Sequence, residues 1–117
     1  MYSASFMFEP GTRDNEFHRL NRLIERAAAA TPGFLGSESW HAPGGGRVNA
    51  TYYWETLEAL RAFSAHPDHL EAKRRYKSWY GGYHVVISEV LHSYGDGAFE
   101  HPTPDTRNHR HAGNRPP

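Results

Sequence analysis

The sequence predicts a single α+β domain: a four-stranded antiparallel sheet in a split βαβ arrangement, with its helices on one face. Three observations carry this. The hydrophobic pattern switches between alternation and helical spacing in the order strand, helix, strand, strand, broken helix, strand. The chain has 117 residues, which supplies apolar material for one core and not for two. Three Trp, seven Tyr and six Phe give 16 aromatic side chains, gathered largely in the strand-like stretches, where a pleated surface accommodates them.

Tyr2 to Glu9 alternates and stops at Pro10-Gly11, which reads as the first strand. From Asp14 the period becomes helical through Phe17, Leu20, Leu23, Ile24, Ala27 and Ala28, with Asp14 and Glu16 suited to a helix N-terminus. Thr31-Pro32-Gly33 ends that helix. Phe34 to His41 is a short second strand, and Pro43-Gly44-Gly45-Gly46 forms a hairpin connection. The next strand, Arg47 to Glu55, puts Val48, Ala50, Tyr52 and Trp54 on one face and Asn49, Thr51, Tyr53 and Glu55 on the other.

Thr56 is placed to cap a helix through Leu57, Leu60 and Phe63. That helix breaks at His66-Pro67, because a residue before proline leaves the helical region, and Pro67 opens a second segment running to about Trp79. Gly81-Gly82 is expected to end it, and Tyr83 to Ser93 alternates again as the last strand. Two βαβ-like halves around a hairpin give the ferredoxin-like arrangement. Its second sheet face is aromatic and needs a cover, which a second copy of the chain would supply as a homodimer with a barrel across it. Residues 96–117 are rich in Pro, His, Arg, Asn and Asp with Phe99 as the one large apolar side chain, so they read as a polar tail outside the domain of residues 1–95.

Composition excludes several functions. Thirteen basic residues balance thirteen acidic ones, leaving no field to gather a nucleic acid or an anionic membrane. No cysteine is present, so disulfides, thiolate nucleophiles and cysteine metal sites are absent. No stretch approaches the roughly 20 apolar residues of a membrane span, and the first residues lack a leader pattern. A cytoplasmic protein with no membrane partner is the expectation.

Three stretches in this order resemble the antibiotic biosynthesis monooxygenase superfamily, in the branch that includes haem-degrading monooxygenases. They are Pro32-Gly33-Phe34-Leu35-Gly36-Ser37-Glu38-Ser39; Tyr53-Trp54-Glu55, leading through Leu57, Leu60 and Phe63 to His66-Pro67-Asp68-His69; and Trp79-Tyr80 with the strand that follows to Tyr94-Gly95. The resemblance implies a dimeric α+β barrel with a pocket in each protomer between helices and sheet. It also implies one of several chemistries, from oxidation of aromatic compounds without a cofactor to degradation of haem. The position matching the axial histidine of one group of haem degraders is Lys73, after Glu71-Ala72, and the position matching their haem-distorting tryptophan is Phe63.

Nine histidines are present. His66 and His69 lie three apart across a helix start and share a face. His69 could take a proton from a phenolic substrate, or either could ligate haem iron; alternatively His66 sets the helix start and His69 packs and hydrogen-bonds. The pair alone is too few ligands for zinc or iron, so no dedicated metal site is expected. Trp40, Tyr52, Trp54, Phe63, Tyr76, Trp79, Tyr80 and Tyr83 could line a pocket for a flat aromatic molecule or serve as sheet core and interface. Asn49 is a polar side chain in an apolar strand and could hold a developing oxyanion, as the resemblance implies for relatives that work without a cofactor, or it could face solvent or a second copy. Lys73, Arg74, Arg75 and Lys77 read as a solvated helix face, and His101, His109 and His111 as tail.

Three functions follow. The first is a monooxygenase acting on a small aromatic or polycyclic compound, with no cofactor and with His69 as base. The second is a haem-binding or haem-degrading protein with His69 or His66 on the iron. The third is a dimeric binding or stress-response module without catalysis, in which the aromatics and histidines serve packing.

Overall fold

The computed structural model describes residues 1–11 and 14–107. Its elements are β1 (Tyr2–Pro10), α1 (Asn15–Ala30), β2 (Phe34–His41), β3 (Val48–Trp54), α2 (Leu57–Ser64), α3 (Pro67–Arg74), α4 (Tyr76–Trp79) and β4 (Tyr80–Glu89). One four-stranded sheet has the order β2-β3-β1-β4, with every neighbouring pair antiparallel. This is the ferredoxin-like α+β fold expected from the pattern.

Capping explains where the helices begin. The Asp14 carboxylate accepts the Phe17 N–H at 2.8 Å and opens α1, a contact typically worth about 1 kcal/mol. Thr56 Oγ1 accepts the Ala59 N–H at 3.1 Å and opens α2. Gly33, at φ +92°, turns the chain from α1 into β2, and its carbonyl accepts the Glu55 N–H at 2.7 Å, which ties the start of β2 to the end of β3.

Register separates the two faces. Ala4 pairs with Tyr52 and Ile87, Tyr2 with Trp54 and Phe6 with Ala50 and Val85, so these side chains share a face. This is the face beneath the helices: Trp54, Ala27, Ala28, Ala59, Leu60 and Phe63 form the main buried cluster, with Tyr2, Ala4, Ile24, Phe34 and Tyr52 packed around it. A second cluster joins Phe17, Leu20 and Trp79. The opposite, open face carries Ser5, Thr51 and Val86 in one row and Met7, Asn49 and His84 in the next.

The last third departs from expectation. The helix expected to run from Pro67 to Trp79 is divided at Arg75 into α3 and α4, and Gly81-Gly82 lies inside β4 instead of ending a helix. The cause is a close crossing of chains: a Cβ on Gly11 would sit 2.4 Å from the Trp79 carbonyl oxygen, and one on Gly81 would sit 3.3 Å from the Glu9 Cβ. Backbone approach to β1 draws Tyr80 into the sheet at once, and Pro10 pairs with it across a register shift. The apolar side chains of the edge strand β4 remain open, with Val85, Val86 and Ile87 at 45%, 41% and 48% exposure.

Residues 96–107 do not trail away. Thr103 is 7% exposed, the Thr106 N–H donates to the Ser93 carbonyl at 2.7 Å, and Pro102 packs against Gly36 of β2. Hydrogen bonds rather than apolar burial hold this segment, and composition does not register them. His109 and His111 lie outside the described residues.

Candidate active site between helices and sheet

β3 sends Tyr52 and Trp54 up into the helical layer, where α2 supplies Phe63 and α3 supplies His69. The Tyr52 and Phe63 rings are stacked, 5.6 Å apart and 18° from parallel, and Trp54 lies 5.1 Å from Phe63. His69 meets the other side of this arrangement edge-on, its ring 4.9 Å from that of Phe63 at 66°. The result is a continuous aromatic layer with one imidazole at its margin.

That imidazole is set up as a neutral base. Burial lowers the His69 pKa from its ordinary value of 6.5, the Lys73 charge one helical turn on lowers it further, and the Ser64 carbonyl only partly opposes them. Its Nδ1 is buried with no hydrogen-bond partner among the described residues. Tyr52 is shifted the other way: burial, then the charge of Glu25 and the neighbouring Tyr80, push its phenol up to about 12, so it stays protonated and can donate.

Ala72, one turn beyond His69, lines a small, open recess between α1 and the α3–α4 turn, which the His69 ring itself does not line. Phe17, Leu20, Asn21, Ile24, Trp79 and Tyr80 line it as well. The Trp79 indole N–H is buried without a partner among the described residues, as is that of Trp54. Arg75 lies over the Trp79 ring at 4.9 Å. The lining of the recess mixes apolar side chains with the Asn21 amide, and the Trp54 indole lies outside it.

The other expected residues fall elsewhere. His66 is the N-cap of α3: its Nδ1 accepts the Asp68 N–H at 3.1 Å, so that nitrogen is occupied. Tyr76 meets Tyr83 edge-on at 4.8 Å over β4, at the margin of the layer. Asn49 and Trp40 pair across β2 and β3 on the open face, so the sheet separates them from His69. Asn49 there accepts from the Thr51 hydroxyl at 3.3 Å.

Sequence reasoning missed a second cluster on that open face. Glu38 accepts from the Trp40 indole at 2.7 Å, from the Tyr53 hydroxyl at 3.0 Å and from His101. Burial pushes the Glu38 carboxyl up, but these three hydrogen bonds outweigh it and leave the pKa below 4.5. Burial and the bond to Glu38 push the Tyr53 phenol up to about 12. No period could reveal the cluster, because His101 is 63 positions from Glu38.

Metal and haem fit this architecture poorly. Among the described residues no three His, Asp or Glu side chains gather as a metal site. The helices rest directly on the sheet through Trp54, Phe63 and Ala28, and the cleft beside Ala72 is much smaller than a macrocycle needs.

The sequence pattern of the family described as monooxygenase af470-like matches residues 8–94. The chain belongs to that family. The match covers the end of β1 and every element from α1 to β4, and it bears out the resemblance to the antibiotic biosynthesis monooxygenase superfamily. The uncharacterized protein YqjZ of Bacillus subtilis is 29% identical over 90 residues, 76% of this chain and 78% of its own length. Solved structures share the fold at lower identity. Rv0793 from Mycobacterium tuberculosis superposes with a TM-score of 0.67 at 14% identity, over 80% of this chain and 98% of that one. SnoaB from Streptomyces nogalater, a cofactor-independent oxygenase, gives 0.65 at 14% identity, over 79% and 94%. At these identities the likeness is one of fold. Among the described residues no helix is long and apolar enough to cross a membrane.

Proposed function

We propose that the chain is a monooxygenase that oxidises a small phenolic aromatic compound with molecular oxygen and without a cofactor, using His69 as the base. The observation that carries this reading is the His69 imidazole: half-buried against Phe63, its pKa lowered by burial, with an Nδ1 that has no hydrogen-bond partner among the described residues. Membership of a monooxygenase family supports it, and the fold shared with SnoaB, a cofactor-independent oxygenase, agrees with it.

The chemistry balances without metal or external reductant. His69 takes the phenolic proton, and the resulting phenolate is electron-rich enough to donate to oxygen in a dry recess. One oxygen atom is inserted at a ring carbon to give a quinone. The other leaves as water with the ring hydrogen and the phenolic hydrogen, the latter returned by His69. The buried rings of Trp54, Phe63 and Trp79 exclude water from the layer beside His69, while the protonated Tyr52 is a donor for a developing oxyanion.

Asn49 and Trp40 face away from this recess. We assign them to the side turned toward a second copy in a homodimer, where Val86 of β4 is also exposed. Sedimentation across a concentration series reads that assignment directly.

The functional test is turnover under ¹⁸O₂ with hydroxynaphthalenes and anthracenols. A quinone carrying one ¹⁸O atom, formed by metal-stripped protein, supports the reading; no oxygen-dependent product from the panel counts against it and favours a binding module. A haem titration run alongside, with a sharp Soret band at one haem per chain, would favour the haem reading instead.

A further inference from the structure

The carboxylate of Glu38 joins parts of the chain that have no reason in sequence to meet. Its two oxygens accept from Trp40 on its own strand, from Tyr53 on the neighbouring strand and from His101 beyond the sheet. His101 is held in one tautomer, because its Nδ1 accepts the Thr103 N–H at 3.2 Å and leaves the proton on Nε2, facing Glu38. The ring also meets Tyr53 edge-on at 5.2 Å.

The neighbouring contacts are of the same kind. Pro102 sits where the missing Cβ of Gly36 leaves room, since a Cβ there would lie 2.8 Å from the proline Cβ. Thr103 is buried and its hydroxyl bonds Ser93. Thr106 exchanges backbone and side-chain bonds with Ser93 at 2.7 and 2.9 Å. Arg107 closes the far end, donating to the Gly95 carbonyl at 2.8 Å and lying over the Tyr94 ring. In contrast to His69, each polar group of the Glu38 cluster is satisfied by another, which is the pattern of a structural fastening rather than a reactive centre.

We infer that residues 96–107 are a strap, docked on the β2–β3 end of the open sheet face and fastened chiefly by the His101–Glu38 contact. With the strap on, Glu38 and Tyr53 are both occupied. With it released, the face presents a partly buried carboxylate beside an indole and a phenol, so strap position decides what this face offers. Glycine at position 36 is part of the device, because a larger residue would lift Pro102.

Hydrogen exchange followed by mass spectrometry on the full chain tests this, comparing the wild type with Glu38→Ala and His101→Ala. Slow exchange in the peptide covering residues 101–107, accelerated about tenfold or more in both variants while α1 and β1 stay protected, is the expected result. His101→Ala changes only the strap side of the contact and keeps the test decisive should Glu38→Ala fold poorly. Free-chain exchange of that peptide in the wild type, or protection unchanged in His101→Ala, would overturn the inference.

Discussion

The His69 imidazole lies edge-on to the Phe63 ring, centroids 4.9 Å apart at 66°. One aromatic side chain thus supports the base from below while stacking on Tyr52 and touching Trp54. Removing it should loosen all three. Phe63→Ala is expected to cost roughly 3–5 kcal/mol in urea unfolding, and the His69 pKa, followed by NMR, should climb toward 6.5 as water reaches the ring. A pKa that stays put would show that Phe63 does not desolvate it.

The depressed pKa of His69 fixes the sign of an acid effect. The unfolded chain binds the proton more readily than the folded one below 6.5, so the contribution of His69 to stability is complete above that pH and is lost as pH falls through it toward the folded value. His69→Gln should therefore flatten the pH dependence of unfolding on the acid side of neutrality. In the wild type the basic form of the imidazole should persist below pH 6.5 in an NMR titration.

Tyr52 produces the opposite limb. Its phenol is pushed up to about 12 in the folded state, so the folded chain keeps a proton that the unfolded chain sheds from about 10 upward. Stability from this group is complete below pH 10 and declines as pH rises toward 12, by an amount on the order of 2–3 kcal/mol. Tyr52→Phe should remove most of that alkaline decline, measured as Tm against pH, while leaving the neutral-pH value within about 1.5 kcal/mol.

Gly11 is held to glycine by the crossing of chains near Trp79. A methyl group there would sit 2.4 Å from a carbonyl oxygen, whereas one on Gly82 meets nothing within 4 Å. Gly11→Ala should lower stability by about 1–3 kcal/mol, and Gly82→Ala should be neutral or slightly stabilising. Equal melting temperatures for the two variants would contradict this account of how α4 hands the chain to β4.

How far this could be read in advance follows from the kind of interaction involved. Strand and helix order were legible because Tyr52 and Trp54 alternate with Asn49 and Thr51, while Phe17, Leu20 and Ile24 keep helical spacing. The same alternation put Asn49 opposite Trp54, but only packing decides which face the helices take, and that choice removes Asn49 from His69. Gly81-Gly82 looked like a helix stop because glycine permits turns, whereas Gly81 is where β4 passes close to Glu9 of β1. The Glu38–His101 contact was invisible, since it depends on a turn that returns a polar segment to the sheet without an apolar period to announce it.

Oxygen-dependent turnover of one phenolic substrate by wild type, His69→Gln and His101→Gln compares the two histidine sites directly. If His69 is the base, His69→Gln loses roughly 100- to 10,000-fold in rate while His101→Gln stays near wild type. Full turnover by His69→Gln, or its collapse in His101→Gln alone, would place the chemistry on the other face of the sheet and contradict the account.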